Sequence, residues 1–241
     1  MKTVITKIIN LIPRYAIIPL LVVLLYQNIV YFGTKMINGN MVARDLTTDF
    51  DRNTSLIPAF SIIYVGCYLF WAFNYVYISK IGRIHFYKFV TTIYITYTVC
   101  AIIYCIFPTT IVRPEVDVNS FSTFVLNYIY ISDTPTNLFP SMHCMVSWLC
   151  FIGLRGINYV PRSFKVVSFV LAALVCISTL VVKQHYVVDL ISGIALAEIG
   201  YFLVKRGRFW QHIYNFYGTL NEKVNLCMHE QLSDDVKTGN L

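Results

Sequence analysis

The sequence is poor in charged residues. Only 13% of its 241 residues are Asp, Glu, Lys or Arg, and 57% are hydrophobic. Soluble domains average about 25% charged residues, so this composition argues against a soluble protein and favours one that resides in a lipid bilayer. The chain also lacks internal repeats, low-complexity segments and a Gly-rich, Lys-containing nucleotide loop.

The seven cysteines form no CxxC pair, and six of them fall in or beside apolar stretches. We interpret them as small buried residues and predict no disulfide framework. No carboxylate or thiolate set with ligand spacing accompanies the site histidines identified below. We therefore predict no metal and no other cofactor.

Five apolar stretches are long enough to cross about 30 Å of hydrocarbon, at 15–35, 56–79, 86–107, 165–183 and 186–204. A sixth, at 141–154, is short, so its ends must lie in headgroups or inside protein. The segment Met1 to Leu25 lacks a small-residue cleavage pattern and is interpreted as a retained first helix. We predict an all-α, six-helix membrane bundle, a single domain over 1–241, with a cytoplasmic tail at about 205–241.

Basic residues are sorted between the two sides of this predicted bundle. Fourteen of the 19 Lys and Arg share the side of the termini, and five lie opposite: Lys35, Arg44, Arg52, Arg113 and Lys183. Basic residues collect on the cytoplasmic side, so both termini are predicted to be cytoplasmic. The net charge of +7 then reflects topology and contact with anionic lipid, and no nucleic-acid partner is predicted.

Charged or polar residues outside this sorting receive simpler interpretations. The first outer loop, about 36–55, carries acidic and basic residues that we interpret as solvated. An aromatic piece of the long outer loop, Phe121 to Tyr130, is compatible with a short amphipathic helix at the interface. Glu198, midway along the sixth span, needs a partner or water and is not predicted to be catalytic.

Three segments on the outer side carry the residues suited to chemistry: 107–114, 140–147 and 183–189. In the third, His185 and Asp189 are four residues apart and share a face on a helix. A carboxylate there can accept the Nδ1–H of His185 and leave Nε2 as a nucleophile. It also stabilises the positive charge of a phosphorylated ring.

The other two segments supply complementary groups. Pro140 suits a helix start, whose free N–H groups attract phosphate, and the Ser141 hydroxyl adds a donor. His143 can protonate a leaving alkoxide, and Ser147, one turn below, can hold its ring. Two cations, Arg113 and Lys183, are predicted to neutralise phosphoryl oxygens, because phosphoryl transfer depends mainly on positioning and charge stabilisation.

These residues resemble the type 2 phosphatidic acid phosphatase superfamily, which includes lipid phosphate phosphatases and sphingolipid phosphotransferases. Its motifs read approximately Lys-x6-Arg-Pro, Pro-Ser-Gly-His and Ser-Arg-x5-His-x3-Asp, and the resemblance covers about 107–193. It implies His185 as the nucleophile with Asp189 as its orienting partner. It also implies His143 as the acid for the leaving group, and Arg113 and Ser141 as phosphate ligands.

The sequence departs from these motifs at three positions. The family lysine falls at Ile106, the arginine at Thr179 and the glycine at Met142, so two phosphate-binding cations are absent and Lys183 is the local substitute. Pro-Ser-Met-His with His-Tyr-x-x-Asp is more similar to the inositol-phosphorylceramide synthase branch. These departures bear on the substrate and the acceptor more than on the nucleophile.

The resemblance implies a multi-pass membrane phosphatase of lipid-type phosphate monoesters or pyrophosphates, acting through phosphohistidine on the non-cytoplasmic side. Its expected partners are a lipid phosphate substrate and membrane lipids. Two alternatives stay open: a phosphotransferase in which a lipid or sugar alcohol replaces water, and a catalytically silent membrane protein on the same frame. The head group, the membrane and the oligomeric state are not predicted.

Overall fold

The structure, a computed structural model, describes residues 12–38 and 41–237, with side chains to residue 224. Lys2, Lys7 and the start of the predicted first helix lie outside the described residues, as do the side chains of Cys227 and Lys237. The helices are α1 (Arg14–Asn38), α2 (Asp49–Asn53), α3 (Ser61–Ile81, preceded by a 3₁₀ turn at Pro58–Phe60), α4 (Arg83–Ile106), α5 (Phe121–Ser132), α6 (Met142–Ile152), α7 (Arg162–Val181), α8 (Val187–Arg206) and α9 (Phe209–Lys237).

Among the described residues, five helices are long and apolar enough to cross a membrane: α1, α3 with its 3₁₀ turn, α4, α7 and α8, with mean hydropathies between 1.5 and 2.4. Much of their surface is apolar and exposed, as at Leu25, 60% exposed, and Leu69, 79% exposed. Exposed apolar patches on this scale suit contact with hydrocarbon. The chain is therefore an all-α, multi-pass membrane protein.

The short apolar stretch at 141–154 forms helix α6, which has only 11 residues. It packs against α3, α7 and α8, and its N-cap, Ser141, and its last residue, Ile152, are fully buried. Both ends thus lie inside protein, as the sequence required of a stretch too short to span the bilayer. Around it, α4 packs on α1, α3 and α8.

Small residues allow α8 to approach its neighbours closely. A Cβ added to Gly193 would lie 2.6 Å from the carbonyl oxygen of Ser141 and 3.3 Å from the backbone nitrogen of Met145. Because both contacts are to backbone of α6 or its cap, they cannot yield by a side-chain rotation. Nearer its C-terminus, α8 meets α4 at Gly200, where an added Cβ would lie 2.6 Å from the Thr96 methyl.

One end of the bundle, which we call the site end, carries most of the irregular structure. Residues Arg44–Asp45 pair in parallel with Thr109–Thr110, a two-residue ladder that the all-α prediction did not include. The predicted aromatic helix is confirmed as α5, where the Ser120 hydroxyl accepts a hydrogen bond from the Thr123 N–H at the N-terminus. It packs on α3.

Arg155, at the opposite end of the bundle, is the partner that Glu198 required. The Glu198 carboxylate accepts hydrogen bonds from both terminal nitrogens of Arg155, at 2.8 and 2.7 Å, and from Trp148 Nε1 at 2.8 Å. Helix α9 covers much of the predicted tail and packs on α4 and α1, where Tyr217 and Tyr94 join hydroxyls at 2.6 Å. The six cysteines at or before Cys176 are free thiols.

Candidate active site

His185 lies in the tight turn between α7 and α8. The α7 carbonyl of Thr179 accepts hydrogen bonds from the backbone N–H groups of Gln184 and His185, and Lys183 takes a left-handed φ of 53°. The turn is sharp, and it includes a backbone conformation that non-glycine residues seldom adopt. It delivers His185 just before the first turn of α8, buried at 6% exposure.

Asp189, in the first turn of α8, faces back toward this histidine. Its Oδ2 lies 3.3 Å from His185 Nδ1 and also accepts the Tyr186 backbone N–H at 3.0 Å, as in a capping box. The carboxylate is fully buried. With Nδ1 engaged in this way, the nitrogen of His185 that is available for chemistry is Nε2.

The charge environment of His185 favours its protonated form. Burial lowers the pKa of the imidazole, but the hydrogen bond to Asp189 and the charge of that carboxylate more than offset burial, so the pKa is raised above 6.5. The same interactions stabilise the positive charge that a phosphorylated ring carries.

His143 occupies the first turn of α6, and aromatic side chains of α3 surround it. Tyr64 stacks on the imidazole with ring centroids 4.5 Å apart, its hydroxyl lies 3.4 Å from Nδ1, and Trp71 packs alongside at 5.5 Å. The ring centroids of His143 and His185 are 5.9 Å apart. A single phosphoryl group placed between the two rings can therefore contact both.

The N-terminus of α6 is fixed directly to α8. The Ser141 backbone N–H donates to the Asp189 carbonyl oxygen at 3.1 Å, and the Ser141 hydroxyl accepts the Cys144 N–H at 3.3 Å. Ser141 is thus the N-cap of α6 and is fully buried. Its predicted role as a phosphate ligand stays a prediction.

Arg113 reaches the site from the loop after α4. Its guanidinium donates to the backbone carbonyls of Tyr130 and Asp133, at 3.3 and 2.5 Å, and to the side-chain oxygen of Gln184 at 2.5 Å. Burial lowers the pKa of this arginine, the usual cost of placing a cation away from water. Gln184, the residue before His185, therefore connects Arg113 to the histidine turn.

Lys183 has a different setting from the one predicted. Its Nζ donates to the carbonyl oxygens of Asp51, at 2.6 Å, and Thr54. The Asp51 side chain in turn accepts the Val187 N–H of α8 at 2.9 Å. Lys183 thus ties the histidine turn to the first loop, and its role toward phosphate stays a prediction.

Ser147 is near the site but does not hold His143 as expected. Its hydroxyl accepts the Trp71 Nε1–H at 2.8 Å, and it is the Trp71 ring that packs on His143. The predicted hydrogen bond between Ser147 and His143 is absent from the described residues. Ser147 therefore supports the His143 ring only indirectly, through Trp71. Tyr64 and Trp71, seven residues apart on one face of α3, are the side chains that pack on the imidazole.

Several buried polar atoms at the site have no hydrogen-bond partner among the described residues: His143 Nε2, Asp189 Oδ1, Arg113 Nε and Gln184 Nε2. Most buried polar groups in proteins are paired, so a cluster of unpaired ones indicates a place for a polar ligand. Within the same part of the chain, no group of three His, Cys, Asp or Glu side chains is arranged to hold a metal ion.

Two cavities meet at His185 and Arg113. The aromatic cavity, about 410 Å³, runs between α1, α3 and α5, and its wall includes Tyr31, Tyr64, Tyr68, Trp71, Tyr128 and His143. The loop cavity, about 480 Å³, lies under the first loop, and its wall includes Asp45, Thr47, Asp51, Arg52, Val112 and Lys183. His185 and Arg113 line both cavities.

Asp133 adds a carboxylate to the wall of the aromatic cavity. It accepts hydrogen bonds from the Tyr31 hydroxyl and from Lys35 Nζ, the latter at 3.0 Å. Burial raises the pKa of this carboxyl, but the Tyr31 hydrogen bond and the Lys35 charge more than offset it, so the pKa is lowered. Lys35 and Asp133 form an ion pair that sequence analysis did not anticipate.

Sequence analysis missed three groups at this site. Asp51, interpreted as a solvated loop charge, is 8% exposed and caps α8. The Thr48-x-x-Asp51 spacing, which forms a capping box, was the available signal. Tyr64 and Trp71, which were not predicted as site residues, are seven residues apart and so share a helix face, which was the signal for the aromatic wall.

Comparison with known proteins gave one family and one relative. The family model described as PAP2 superfamily matches residues 46–203. The uncharacterized protein MJ0662 of Methanocaldococcus jannaschii is 27% identical over 103 residues, which are 43% of this chain and 36% of that protein. The chain thus matches about a third of the length of this relative. No solved structure shows a significant match.

Proposed function

The chain belongs to the PAP2 superfamily, and from that premise we propose that it hydrolyses lipid-type phosphate monoesters or pyrophosphates through a phosphohistidine on His185. Membership makes it a membrane protein of a phosphatase family. One observation carries the finer proposal. The ring centroids of His143, on α6, and His185, in the turn before α8, lie 5.9 Å apart, and the Asp189 carboxylate engages Nδ1 of His185.

The first half-reaction forms the phosphoenzyme. The lone pair of His185 Nε2 attacks phosphorus while the bond from phosphorus to the leaving oxygen breaks, and protonated His143 gives its proton to that oxygen. Asp189 stabilises the positive charge that the phosphorylated imidazole acquires. Arg113, half-buried beside the turn, offsets the charge of the phosphoryl oxygens.

The second half-reaction restores the enzyme. Neutral His143 takes a proton from a water molecule whose oxygen attacks phosphorus, and the bond from nitrogen to phosphorus breaks. Inorganic phosphate is released, and His143 is again protonated. The sum is an alcohol and phosphate from a phosphate ester and water, so no further reactant is needed.

The proposed topology has six spans, with α6 as the short sixth, both termini in the cytoplasm and the site end on the non-cytoplasmic side. Its support is the excess of Lys and Arg on the side of the termini. A cysteine placed at exposed Val118, in the loop before α5, tests it. On this topology a membrane-impermeant thiol reagent labels that residue from outside in right-side-out vesicles. Labelling in inverted vesicles alone reverses the assignment.

The test of function is phosphate release by purified protein from a panel offered side by side: phosphatidic acid, phosphatidylglycerophosphate, undecaprenyl pyrophosphate and sphingoid phosphates. We expect release from at least one of them and none from a His185→Ala variant. Equal turnover by the variant and the wild type would overturn the enzyme proposal and leave a silent membrane protein on this frame.

A lipid phosphotransferase is the second candidate, and the aromatic cavity favours it. This cavity has room beside His143 for an apolar alcohol in place of the leaving group. Both functions share the phosphohistidine, so adding ceramide or diacylglycerol to the trapped phosphoenzyme separates them. A transferase gives a phosphorylated lipid as its product, and a phosphatase gives inorganic phosphate at the same rate with or without the alcohol.

A further inference from the structure

The two cavities that share His185 differ in chemistry. The wall of the aromatic cavity is rich in rings and apolar side chains beside His143, and its charged residues are Asp133 and Arg113, which the loop cavity shares. The wall of the loop cavity includes three cations, Arg52, Arg113 and Lys183, and it lies under the first loop, away from His143. Because the two cavities differ in chemistry, a substrate can reach His185 through one of them and a product can leave through the other.

The cations of the loop cavity are not all neutralised by carboxylates. In the part of the chain that the structure describes, Lys183 Nζ donates only to backbone carbonyl oxygens, and the guanidinium of Arg113 donates to two carbonyls and one amide oxygen. Arg113 Nε is buried and has no partner among the described residues. A buried donor on a cation is the kind of group that a bound oxyanion satisfies.

Two carboxylates also line the loop cavity, and both are already engaged. Asp51 accepts the Val187 N–H and the Thr48 hydroxyl and N–H, and Asp45 accepts from Thr47 and the Tyr186 hydroxyl. With three cations and two carboxylates, the wall keeps a net positive charge. The only cation here with a carboxylate partner is Arg52, whose Nε lies 3.5 Å from exposed Asp49 in the described part of the chain.

We propose that the loop cavity binds inorganic phosphate and is the route by which this product leaves His185, while the lipid enters and leaves through the aromatic cavity. The inference rests on the proposed function. Its physical basis is the cost of moving an anion past apolar walls, which the cationic cavity avoids. In the second half-reaction, water attacks phosphorus from the His143 side, in line with the nitrogen–phosphorus bond that breaks. The inorganic phosphate formed then enters the loop cavity.

The first test narrows the loop cavity without touching the catalytic groups. Val112 lines it and is 82% exposed, and Val118, in the same loop at 53% exposure, lines neither cavity. We would make Val112→Trp and the matched control Val118→Trp. Rapid chemical quench measures the phosphoenzyme and total phosphate formed, and a phosphate-binding reporter protein measures phosphate that has reached solution.

For Val112→Trp we expect phosphoenzyme formation within about twofold of wild type and release of phosphate slowed about tenfold, so that total phosphate leads free phosphate in time. Val118→Trp should match wild type. The inference is wrong if Val112→Trp shows no such lag. It is also wrong if Val65→Trp, which narrows the aromatic cavity, produces the lag instead.

The second test measures charge and does not depend on the tryptophan variant remaining folded. Arg52→Gln should raise the inhibition constant of added inorganic phosphate several-fold. Arg44→Gln, which removes a cation that lies over the Phe107 ring and does not line the loop cavity, should leave it unchanged. Equal inhibition constants in the two variants contradict the inference. Absence of any phosphoenzyme in wild type is a different result, because it ends the proposed function itself.

Discussion

Helix α8 carries two carboxylates, Asp189 in its first turn and Glu198 midway along it, and the two differ in burial and in hydrogen-bond partners. Asp189 is fully buried, faces His185 at 3.3 Å and keeps one oxygen without a partner among the described residues. Glu198 is 36% exposed and accepts from two nitrogens of Arg155 and from Trp148. A satisfied, half-exposed pair needs no function to explain it, whereas a buried and incompletely paired one does.

This comparison corrects the default view that any ionisable residue within a membrane span marks a functional site. Glu198 met that criterion from its position alone. What distinguishes Asp189 is its partner: it contacts His185, which lines both cavities and whose ring lies 5.9 Å from that of His143. The lesson is that hydrogen-bond satisfaction, read from the folded structure, separates the two carboxylates, and position in the sequence does not.

The strongest test of the difference between Asp189 and Glu198 compares a variant of His185, the partner of Asp189, with a variant of Glu198. His185→Ala should reduce phosphate release at least about 10³-fold, because removal of a nucleophile leaves only binding and electrostatic stabilisation. Glu198→Gln should change it less than about twofold. Turnover on the preferred lipid in detergent measures both. Similar losses of turnover in the two variants would show that the surroundings of Asp189 and Glu198 do not differ in function.

Replacement of the second histidine sharpens the assignment at the site end. His143→Gln should cost roughly 10² to 10⁴-fold on an alkyl phosphate, the usual range for a lost general acid. A substrate with an acidic phenol as its leaving group needs no proton, so the variant should recover much of its rate there, and His185→Ala should not. If both variants respond alike to the leaving group, His143 is not the acid.

The pH dependence of activity follows from the raised pKa of His185. The nucleophile must be neutral, so kcat/KM should fall as the pH drops through this raised pKa, above 6.5. In Asp189→Asn the carboxylate is lost and burial, which lowers the pKa, remains. The acidic limb should therefore move to lower pH while the maximal rate falls. A limb that stays in place in the variant would assign it to another group.

The packing of α8 should respond differently to an added methyl group at Gly193 and at Gly200. Gly193→Ala should destabilise the protein by about 1–3 kcal/mol and reduce activity, because the new methyl meets α6 backbone at 2.6 Å. Gly200→Ala meets only side-chain methyls, those of Thr96 at 2.6 Å and Thr92 at 3.5 Å, and should affect stability without a comparable loss of kcat. Thermal unfolding in detergent and turnover separate the two. Gly66→Ala, which meets nothing within 4 Å, is the control.

The smallest effect is expected at the opposite end. Arg155→Gln removes an ion pair whose side chains are 47% and 36% exposed, and exposed pairs contribute about 0–1 kcal/mol. The midpoint of thermal unfolding should shift only slightly and kcat should not change. A large drop in stability would mean that this pair is more shielded from solvent than its exposure indicates.

Sequence analysis anticipated much of the architecture because hydropathy depends on local composition. The five long apolar helices, the short α6 with buried ends and the aromatic helix α5 all follow from runs of apolar residues. It also picked out the segments that meet at the site end. It did not foresee the β ladder at Arg44–Asp45 or the setting of Lys183, because both depend on contacts between distant loops.

Local sequence is enough to indicate the class of protein and the residue types suited to phosphoryl transfer. These are two histidines and a carboxylate, with His185 and Asp189 at a spacing set by helix geometry. Which polar groups are paired depends on the fold. Whether Glu198 meets Arg155, Asp51 meets α8 or Ser147 meets Trp71 depends on helices that are far apart in the chain. Burial makes each such pairing decisive, since a polar group away from water must find a partner in the fold or await one in a ligand.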